Sequence, residues 1–463
     1  MRTAFVRLAV GLSAAAILLP MRAHAQGFGV YEQGACVMAR AGTGVASPCD
    51  DGSSIFFNPA NIAQTHDVVS AGGTLIAPGG GFTNDVTGIR GELTDAAYPV
   101  PNLYLVKGVP LNGAVNRVAF GLGLFAPYGL TTEWPLNFEG RFLGYKTVVR
   151  AVYVQPTVAI RIANMASIGA GLDVNFAHVQ LRQRVDLSSQ AAAPGVTFAS
   201  LGVAPGTDFA DADLSANATH LGFHVGASVK LTKGLDFGVR YLSKQTVNFD
   251  DGTVSITQVP TGLVVPSPLP GIPAGTPVDQ LVAPQFQAGG LLTNQSATAV
   301  IKIPDQLVFG LAFAPIPRAR LLADAQWTHW RVFDQVPITF EKLPAETLIQ
   351  NNDNAWTLRF GGEYDVSQSF TLRGGWYTHA AAAPDYAVIP NLPEGPRTSF
   401  TVGLGTRLGR GFRVDAAYQY IDQADRRGRT TPFNPVASPL SSQNNGLYTF
   451  DAHLFGATFS YAF

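Results

Sequence analysis

The sequence predicts an all-β protein, a transmembrane antiparallel β-barrel of about fourteen strands, and three observations carry that expectation. An N-terminal export segment sends the chain out of the cytoplasm. Apolar side chains then recur at every second residue, the period of a strand whose two faces meet different surroundings. The connections between these strands are alternately short and long, like the turns and loops at the two ends of a membrane barrel.

The export segment comes first. Arg2 and Arg7 flank a short positive region, an apolar run follows from Leu8 to Leu19, and Ala23-His24-Ala25 supplies small residues at the two positions a signal peptidase reads. Cleavage is expected after Ala25, so residues 1–25 are a signal peptide and the mature chain starts at Gln26. The apolar core falls short of the roughly 20 residues that span a bilayer. The alternative is a retained membrane anchor.

Past residue 25 no apolar stretch reaches spanning length, yet hydrophobic residues make up 46% of the chain and charged ones only 14%. A soluble protein of this size carries about 25% charged residues. A membrane protein without spanning helices has to be a closed barrel, because only these two structures satisfy every backbone polar group in lipid. With a net charge of −1 and no basic run, nucleic acid is not an expected partner. Cys36 and Cys49 lie close together near the mature N-terminus. In an oxidising compartment such a pair is expected to be bonded, stabilising its segment by about 3 kcal/mol. The alternative is two buried free thiols. No C-x-x-C pattern points to redox catalysis.

Residues 26–66 are rich in Gly and Ala and show no clean alternation. They precede a barrel read over residues 67–463, and either sit outside it or plug it. The first good strand is Val68–Ala77. Further along, Leu221, Phe223, Val225, Ala227 and Val229 oppose Gly222, His224, Gly226 and Ser228. Trp356, Leu358, Phe360 and Tyr364 oppose Thr357, Arg359, Gly361 and Glu363, and Phe412, Val414, Ala416, Tyr418 and Tyr420 oppose Arg413, Asp415 and Gln419. At the C-terminus Phe455, Ala457, Phe459, Tyr461 and Phe463 share one face, with Gly456, Thr458, Ser460 and Ala462 on the other. A helix could not put these residues on one side.

Short turns are read at Ile162–Ala166, Leu231–Leu235, Pro315–Ala319, Asp365–Ser369 and Leu408–Gly411. Long polar or Pro/Gly-rich segments fall between them: Pro127–Tyr145, Leu187–Ser215, Asp251–Gln295, Glu341–Asn354, His379–Pro396 and Asp422–Asn445. Counting hairpins gives about fourteen strands, an even number as a closed antiparallel barrel requires. A soluble β-sandwich alternates too, but has no reason to make every second connection long.

Several stretches resemble a known family. Gly27-Phe28-Gly29-Val30-Tyr31-Glu32-Gln33-Gly34, Ala39-Arg40-Ala41-Gly42 and the run from Asp50 to Asn58-Pro59-Ala60 resemble the N-terminal hatch of the FadL/TodX-type long-chain fatty acid transporters. Val100-Pro101-Asn102-Leu103-Tyr104 and the run from Gly121 to Leu130 look like the family's second and third strands. Tyr241-Leu242-Ser243-Lys244 is similar to its Y-R-S-K, with Leu242 in place of Arg. Ile303-Pro304-Asp305, the run from Ala323 to Trp330, Leu372-Arg373-Gly374-Gly375-Trp376 and the final Phe463 also match. The resemblance covers nearly the whole mature chain.

It implies a fourteen-stranded barrel plugged by an N-terminal hatch, residues 26–66. Substrate would lodge between the loops after strands five and seven, pass to a site inside the barrel, and leave sideways through a kinked third strand into the outer membrane. Long-chain fatty acids are the expected cargo, with aromatic or alkane hydrocarbons by the same route as the alternative. The cysteine pair is not part of the family's pattern.

The residues add detail. In Asp251–Gln295, Leu263, Val264, Leu269 and Phe286 stand among scattered prolines, and Leu187–Ser215 adds Phe198, Leu201 and Phe209. Water-facing loops gain nothing from so many apolar residues unless these pack or bind something. They form a groove for an amphiphile, or pack on each other over the barrel mouth. Strand parity aims Arg240, Lys244, Arg359, Arg373 and Arg413 at the lumen, with Asp173, Asp236, Glu363 and Asp415. Arg240, Lys244, Arg359 and Arg373 are the candidates to hold a carboxylate, and the alternative is that these charges pair with one another. Gly121 and Gly123 lie inside the third strand and Pro127 ends it. By the resemblance, Asn58, Pro59 and Ala60 pack against the break, making these three residues, with Gly121 and Gly123, the gate.

No enzyme is expected. The eight histidines show no metal-binding spacing, and neither a G-x-S-x-G elbow nor a Walker A loop is present. No cofactor or metal is implied. A non-specific porin would need no N-terminal plug, and the apolar loops do not exclude an adhesin or a purely structural barrel. No energy-coupling motif is visible, so transport is expected to be passive. The expected partners are a hydrophobic small molecule, outer-membrane lipid and lipopolysaccharide, and the barrel-assembly machinery through Phe463. The expected state is a monomer in a Gram-negative outer membrane.

Overall fold

The computed structural model describes residues 27–268, 271–379, 381–428 and 444–463. The predicted signal peptide and Leu269 lie outside the described residues. A period of two over most of the chain leaves one way to satisfy the backbone in lipid, a sheet closed on itself. Fourteen barrel strands form it, each counted once where a short break interrupts it. The first six are β1 Val68–Asn84, β2 Tyr98–Pro110, β3 Val115–Glu133, β4 Lys146–Ile162, β5 Ala166–Val185 and β6 Ala210–Thr232. Four interrupted strands follow. They are β7 (Leu235–Leu242, Gln245–Gln258), β8 (Gln295–Ile303, Gln306–Ile316), β9 (Ala319–Thr328, Gln335–Phe340) and β10 (Glu346–Ile349, Ala355–Asp365). The last are β11 Phe370–His379, β12 Arg397–Gly409, β13 Phe412–Gly428 and β14 Gly446–Ala462. Neighbours in sequence are antiparallel neighbours in space. The ring closes where β1 pairs with β14 from Val68↔Ala462 to Asn84↔Gly446.

The outer face is the apolar one. Phe120, Leu172, Leu221, Phe400 and Phe459 are exposed around the ring, forming the lipid-facing band of a membrane barrel. Among the described residues no helix is long and apolar enough to cross a membrane.

The strands are longer than the sequence suggests. β6 has 23 residues and β3 has 19, against about ten for a bare membrane crossing. Leu187–Ser215, Asp251–Gln295 and Asp422–Asn445 are therefore not all loop, since β6 starts at Ala210, β7 runs to Gln258 and β13 to Gly428. Nor does Pro127 end the third strand, which continues to Glu133 across a register shift between Phe125 and Tyr128. Pro127 sits within this bulge, where its missing N–H interrupts no ladder bond.

The N-terminal segment is almost wholly buried from Phe28 to Thr65. It holds two one-turn helices, α1 Ala35–Met38 and α2 Ser54–Phe57, and a 3-10 turn at Pro59–Ala63. Its backbone N–H groups at Ala35, Ala41 and Gly44 donate to Thr458 Oγ1 (2.9 Å), Thr401 Oγ1 (3.1 Å) and Asp324 Oδ2 (3.0 Å). Asn58 Nδ2 donates to the carbonyl of Ala227 (3.0 Å), and the Tyr104 hydroxyl donates to the carbonyl of Gln33 (2.8 Å). Those partners belong to β14, β12, β9, β6 and β2, so the segment lies within the ring. Inward-facing glycines make room for it: a Cβ on Gly169 would stand 2.6 Å from Ala60 N, and one on Gly375 2.7 Å from Ala41 Cβ. Cys36 and Cys49 are joined by a disulfide, Cα–Cα 6.2 Å.

Candidate functional site

The ladder between β2 and β3 stops before either strand does. It runs from Pro110↔Arg117 to Leu103↔Leu124. Beyond that, Tyr98–Asn102 pairs only with β1, and Phe125 to Glu133 only with β4. The two sides meet again where Thr94 N donates to the carbonyl of Glu133 (2.8 Å). Two causes are local. Pro99 and Pro101 lack the N–H a two-sided strand needs, and the bulge at Phe125–Tyr128 bends β3.

The bare edge of β3 is occupied from inside by the N-terminal segment. Val30 N donates to the carbonyl of Pro127 (2.8 Å), Gly129 N donates to the carbonyl of Phe28 (2.9 Å), and Gly29 stands opposite Tyr128 as an isolated bridge. The Phe28 ring packs edge-on against Trp330 at 5.1 Å, Phe333 at 5.3 Å and Tyr128 at 5.9 Å. Beside the gap, Asn102 is buried with both amide atoms unpartnered.

Phe28 also forms part of the lining of an inner cavity of about 100 Å³, walled by Leu130, Val149, Val179, Ile301, Phe333 and Leu348 among others. Leu181, Leu214 and Ile338 line this cavity and also a larger one of about 570 Å³, set between the Leu187 and Leu281 loop regions. A groove among the long loops, an inner cavity, a phenylalanine and a gap in the wall therefore follow one another.

A family model described as outer membrane protein transport protein (OMPP1/FadL/TodX) matches residues 16–463. The chain belongs to this family of outer-membrane transport proteins. The long-chain fatty acid transport protein of Escherichia coli O6:H1 is 23% identical over 100% of this chain and 99% of its own. A solved Pseudomonas aeruginosa FadL homologue matches with a TM-score of 0.76 and 21% identity, covering 95% of this chain and all of that one. The Ralstonia pickettii toluene transporter TbuX matches with a TM-score of 0.63 and 18% identity, over 94% and 100%.

Within this FadL/TodX-type fold the expected loop residues separate. Phe198, Leu201 and Phe209 are buried together in a loop–loop core with Val203, Val265, Val278 and Val282, and of the three only Phe198 also lines the outer groove. Leu263 and Val264 are exposed and Phe286 is half-buried, and none of the three lines the groove. The groove is lined instead by inward residues of the strand extensions, such as Leu181, Val185, Leu214, Val254 and Ile256. Loop packing and a loop groove are thus both present. The missed signal lay in the parity, since these inward positions turn apolar above the membrane.

The gate residues also divide. The turn that begins at Asn58-Pro59-Ala60 reaches the third strand through Ile62, whose Cδ1 would stand 3.2 Å from a Cβ on Gly121. Asn58, Pro59 and Ala60 themselves seat on β5 and β6, against Gly169 and Gly226. Facing Gly121 and Gly123 is Ile55, whose side-chain carbons would stand 2.9 and 3.0 Å from an added Cβ at each. Asn58 instead ties the segment to itself, donating to the carbonyl of Val45 (2.8 Å) and accepting from Ala60 N (3.2 Å).

Among the lumen cations, Lys244 is a correction: it is exposed on the outer face. Leu242 and Ser243 both turn inward at the break in β7, which flips the parity beyond them. Arg373 pairs with Glu363 (3.3 Å) and Asp415 (2.8 Å), and Arg413 with Asp415 (2.8 Å). Arg40 joins the network through Glu363 at 3.2 Å. Arg359 donates to the carbonyl of Ala41 (3.2 Å) and lies over the rings of Tyr31 and Tyr377. Asp173 accepts from Gln155 Nε2 (2.6 Å) and meets His224 Nδ1 at 2.5 Å, while His224 Nε2 meets Thr157 Oγ1 at 2.9 Å. Asp236 is half-buried.

Arg240 differs. It is fully buried and donates to two neutral oxygens, Tyr31 Oη and Gln306 Oε1, each at 3.1 Å, with its guanidinium 4.4 Å over Phe56. Among the described residues no carboxylate lies within ion-pair distance of it. Gln306 Nε2 donates to the Tyr128 hydroxyl (2.8 Å), linking Arg240 to the ring that abuts Phe28. Deeper in the segment, burial raises the Asp51 carboxyl above its usual range, opposed by bonds from Ser53.

Proposed function

We propose that this protein passively carries hydrophobic compounds with an aliphatic chain, long-chain fatty acids foremost, into the outer membrane. Capture takes place in the groove among the long loops. The chain then moves to the inner cavity and leaves sideways between β2 and β3. One observation carries this reading: Phe28 lines the inner cavity and, with Val30, bonds the bare edge of β3. Residues 26–66 act as a hatch, and displacing Phe28–Val30 joins the cavity to the gap. Asn58, Pro59 and Ala60, seated on β5 and β6, are its fixed part, while Ile55 against Gly121 and Gly123 holds the lower edge of the gap. Arg240 is the group that would meet a carboxylate, since Arg373 and Arg413 are neutralised by Glu363 and Asp415.

A hydrocarbon cargo is the second reading. It is favoured by the cavities, because none of the described residues lining either is Lys or Arg. The transport unit is a single chain, and Phe463, exposed at the end of β14, is offered to the assembly machinery. Uptake of labelled oleate and labelled toluene would be compared in cells expressing the full chain and a form lacking residues 26–61. Oleate uptake that needs the hatch supports a gated fatty-acid carrier, and toluene uptake alone moves the protein to the hydrocarbon reading. Equal entry of small hydrophilic solutes through the intact protein would replace both with a porin.

A further inference from the structure

The outer groove has a charge character that its apolar walls do not require. Its lining is mostly aliphatic, from Leu181, Val185, Leu187, Leu214, Val254 and Ile256 onward. Its charged groups are two carboxylates, Asp186 and Glu346, and none of the described lining residues is Lys or Arg. Asp186 is held in place, accepting from Ser188 N (2.7 Å) and Gly206 N (2.8 Å). Glu346 has no ion pair or side-chain hydrogen bond among the described residues, and stands at the rim on the first part of β10.

The basic residues nearby are turned away. Arg182 and Arg184 lie on β5 between groove-lining neighbours, so the pleat points them to the opposite face. There they are tied to Asp208, Asp211 and Asp213, with Arg182 at 3.1 Å from Asp211 and Arg184 at 3.6 Å from it. Lys342 is occupied by the Thr293 hydroxyl at 2.6 Å. A chain lying in this groove therefore meets two carboxylates and no cation among the described lining residues, the nearest ammonium, that of Lys342, being directed to Thr293. Between like charges in a partly desolvated cleft the repulsion is a few kcal/mol at most, enough to rank ligands.

We propose that the groove discriminates by head-group charge, taking aliphatic chains whose polar end is neutral or cationic and holding carboxylates more weakly. This rests on the reading of the groove as the point of capture. Within it, a fatty acid is held in the groove by its chain, and the buried cation without a carboxylate partner that lies beyond is Arg240.

The test uses the full chain in detergent with labelled 1-hexadecanol as the probe, displaced by hexadecanol, hexadecylamine or hexadecanoate near neutral pH. Only binding that is lost in Ala212→Trp, which fills the groove at a position that does not line the inner cavity, is scored. Hexadecanoate is expected to compete roughly tenfold more weakly than the alcohol, and the amine at least as well as the alcohol. Glu346→Gln should narrow the gap, and Glu346→Lys should reverse it, at a rim position where substitution leaves the barrel intact. Equal or stronger competition by hexadecanoate overturns the proposal while leaving capture in the groove standing. Hexadecanol binding unchanged in Ala212→Trp overturns both.

Discussion

Val30 donates its backbone N–H to the carbonyl of Pro127 across 2.8 Å, at the stretch where β3 has lost its neighbour β2. The N-terminal segment thus supplies the strand pairing that the wall omits. Val30→Pro removes this donor, and a hydrogen bond of about 1 kcal/mol corresponds to a roughly fivefold larger displaced population. Amide exchange at Gly129 and initial uptake rates should both rise by that order. Unchanged exchange at Gly129 would mean the bond does not hold the hatch.

The disulfide closes the loop that carries α1 and the turn beyond it, with Cys36 and Cys49 both buried. Replacing both with serine should lower stability by about 3 kcal/mol in the chain-entropy account. Thermal unfolding of the double variant beside the oxidised wild type measures it. Because the rest of the ring is untouched, the loss should appear first as easier release of the hatch.

Gly169 faces the backbone of Pro59 and Ala60 so closely that a Cβ would stand 2.6 Å away. Gly169→Val is expected to cost about 1–3 kcal/mol through overpacking. It should also unseat the Asn58-Pro59-Ala60 turn and admit small hydrophilic solutes in a liposome-swelling assay. A tight, stable variant would show that the turn is not the fixed part of the plug.

Arg240 separates the cargo readings. Arg240→Met removes a buried cation bonded only to neutral oxygens, so the fold should tolerate it. A charge-assisted bond of about 1.5–3 kcal/mol predicts at least tenfold weaker oleate binding, with toluene unaffected. An equal fall for both ligands would assign Arg240 to the scaffold.

Much of this was legible in the sequence where the signal is local. Alternation such as that of Leu221–Val229 is decided by each residue and its neighbours, so the strands and their number follow. Lys244 was misplaced because one extra inward residue, Ser243, inverts everything beyond it, and a break of that kind leaves no mark in composition. Leu214 and Ile256 escaped as groove residues because an apolar inward face above the membrane reads like a lipid-facing one. The gap between β2 and β3 is a property of two strands and of the hatch together. Pro99 and Pro101 hint at it, but nothing in the sequence says that Phe28–Val30 will take the missing place.

Lateral release past this latch is the centre of the account, and a reversible cross-link tests it most directly. A Cβ on Gly129 would stand 3.5 Å from Val30 Cγ2, within reach of a disulfide between Val30→Cys and Gly129→Cys. Initial oleate uptake would be measured in the oxidised and reduced double variant, beside the wild type in the same reductant. Uptake lost on oxidation and restored on reduction is the predicted result. Uptake that continues undiminished with the latch bonded to β3 would contradict release through this gap.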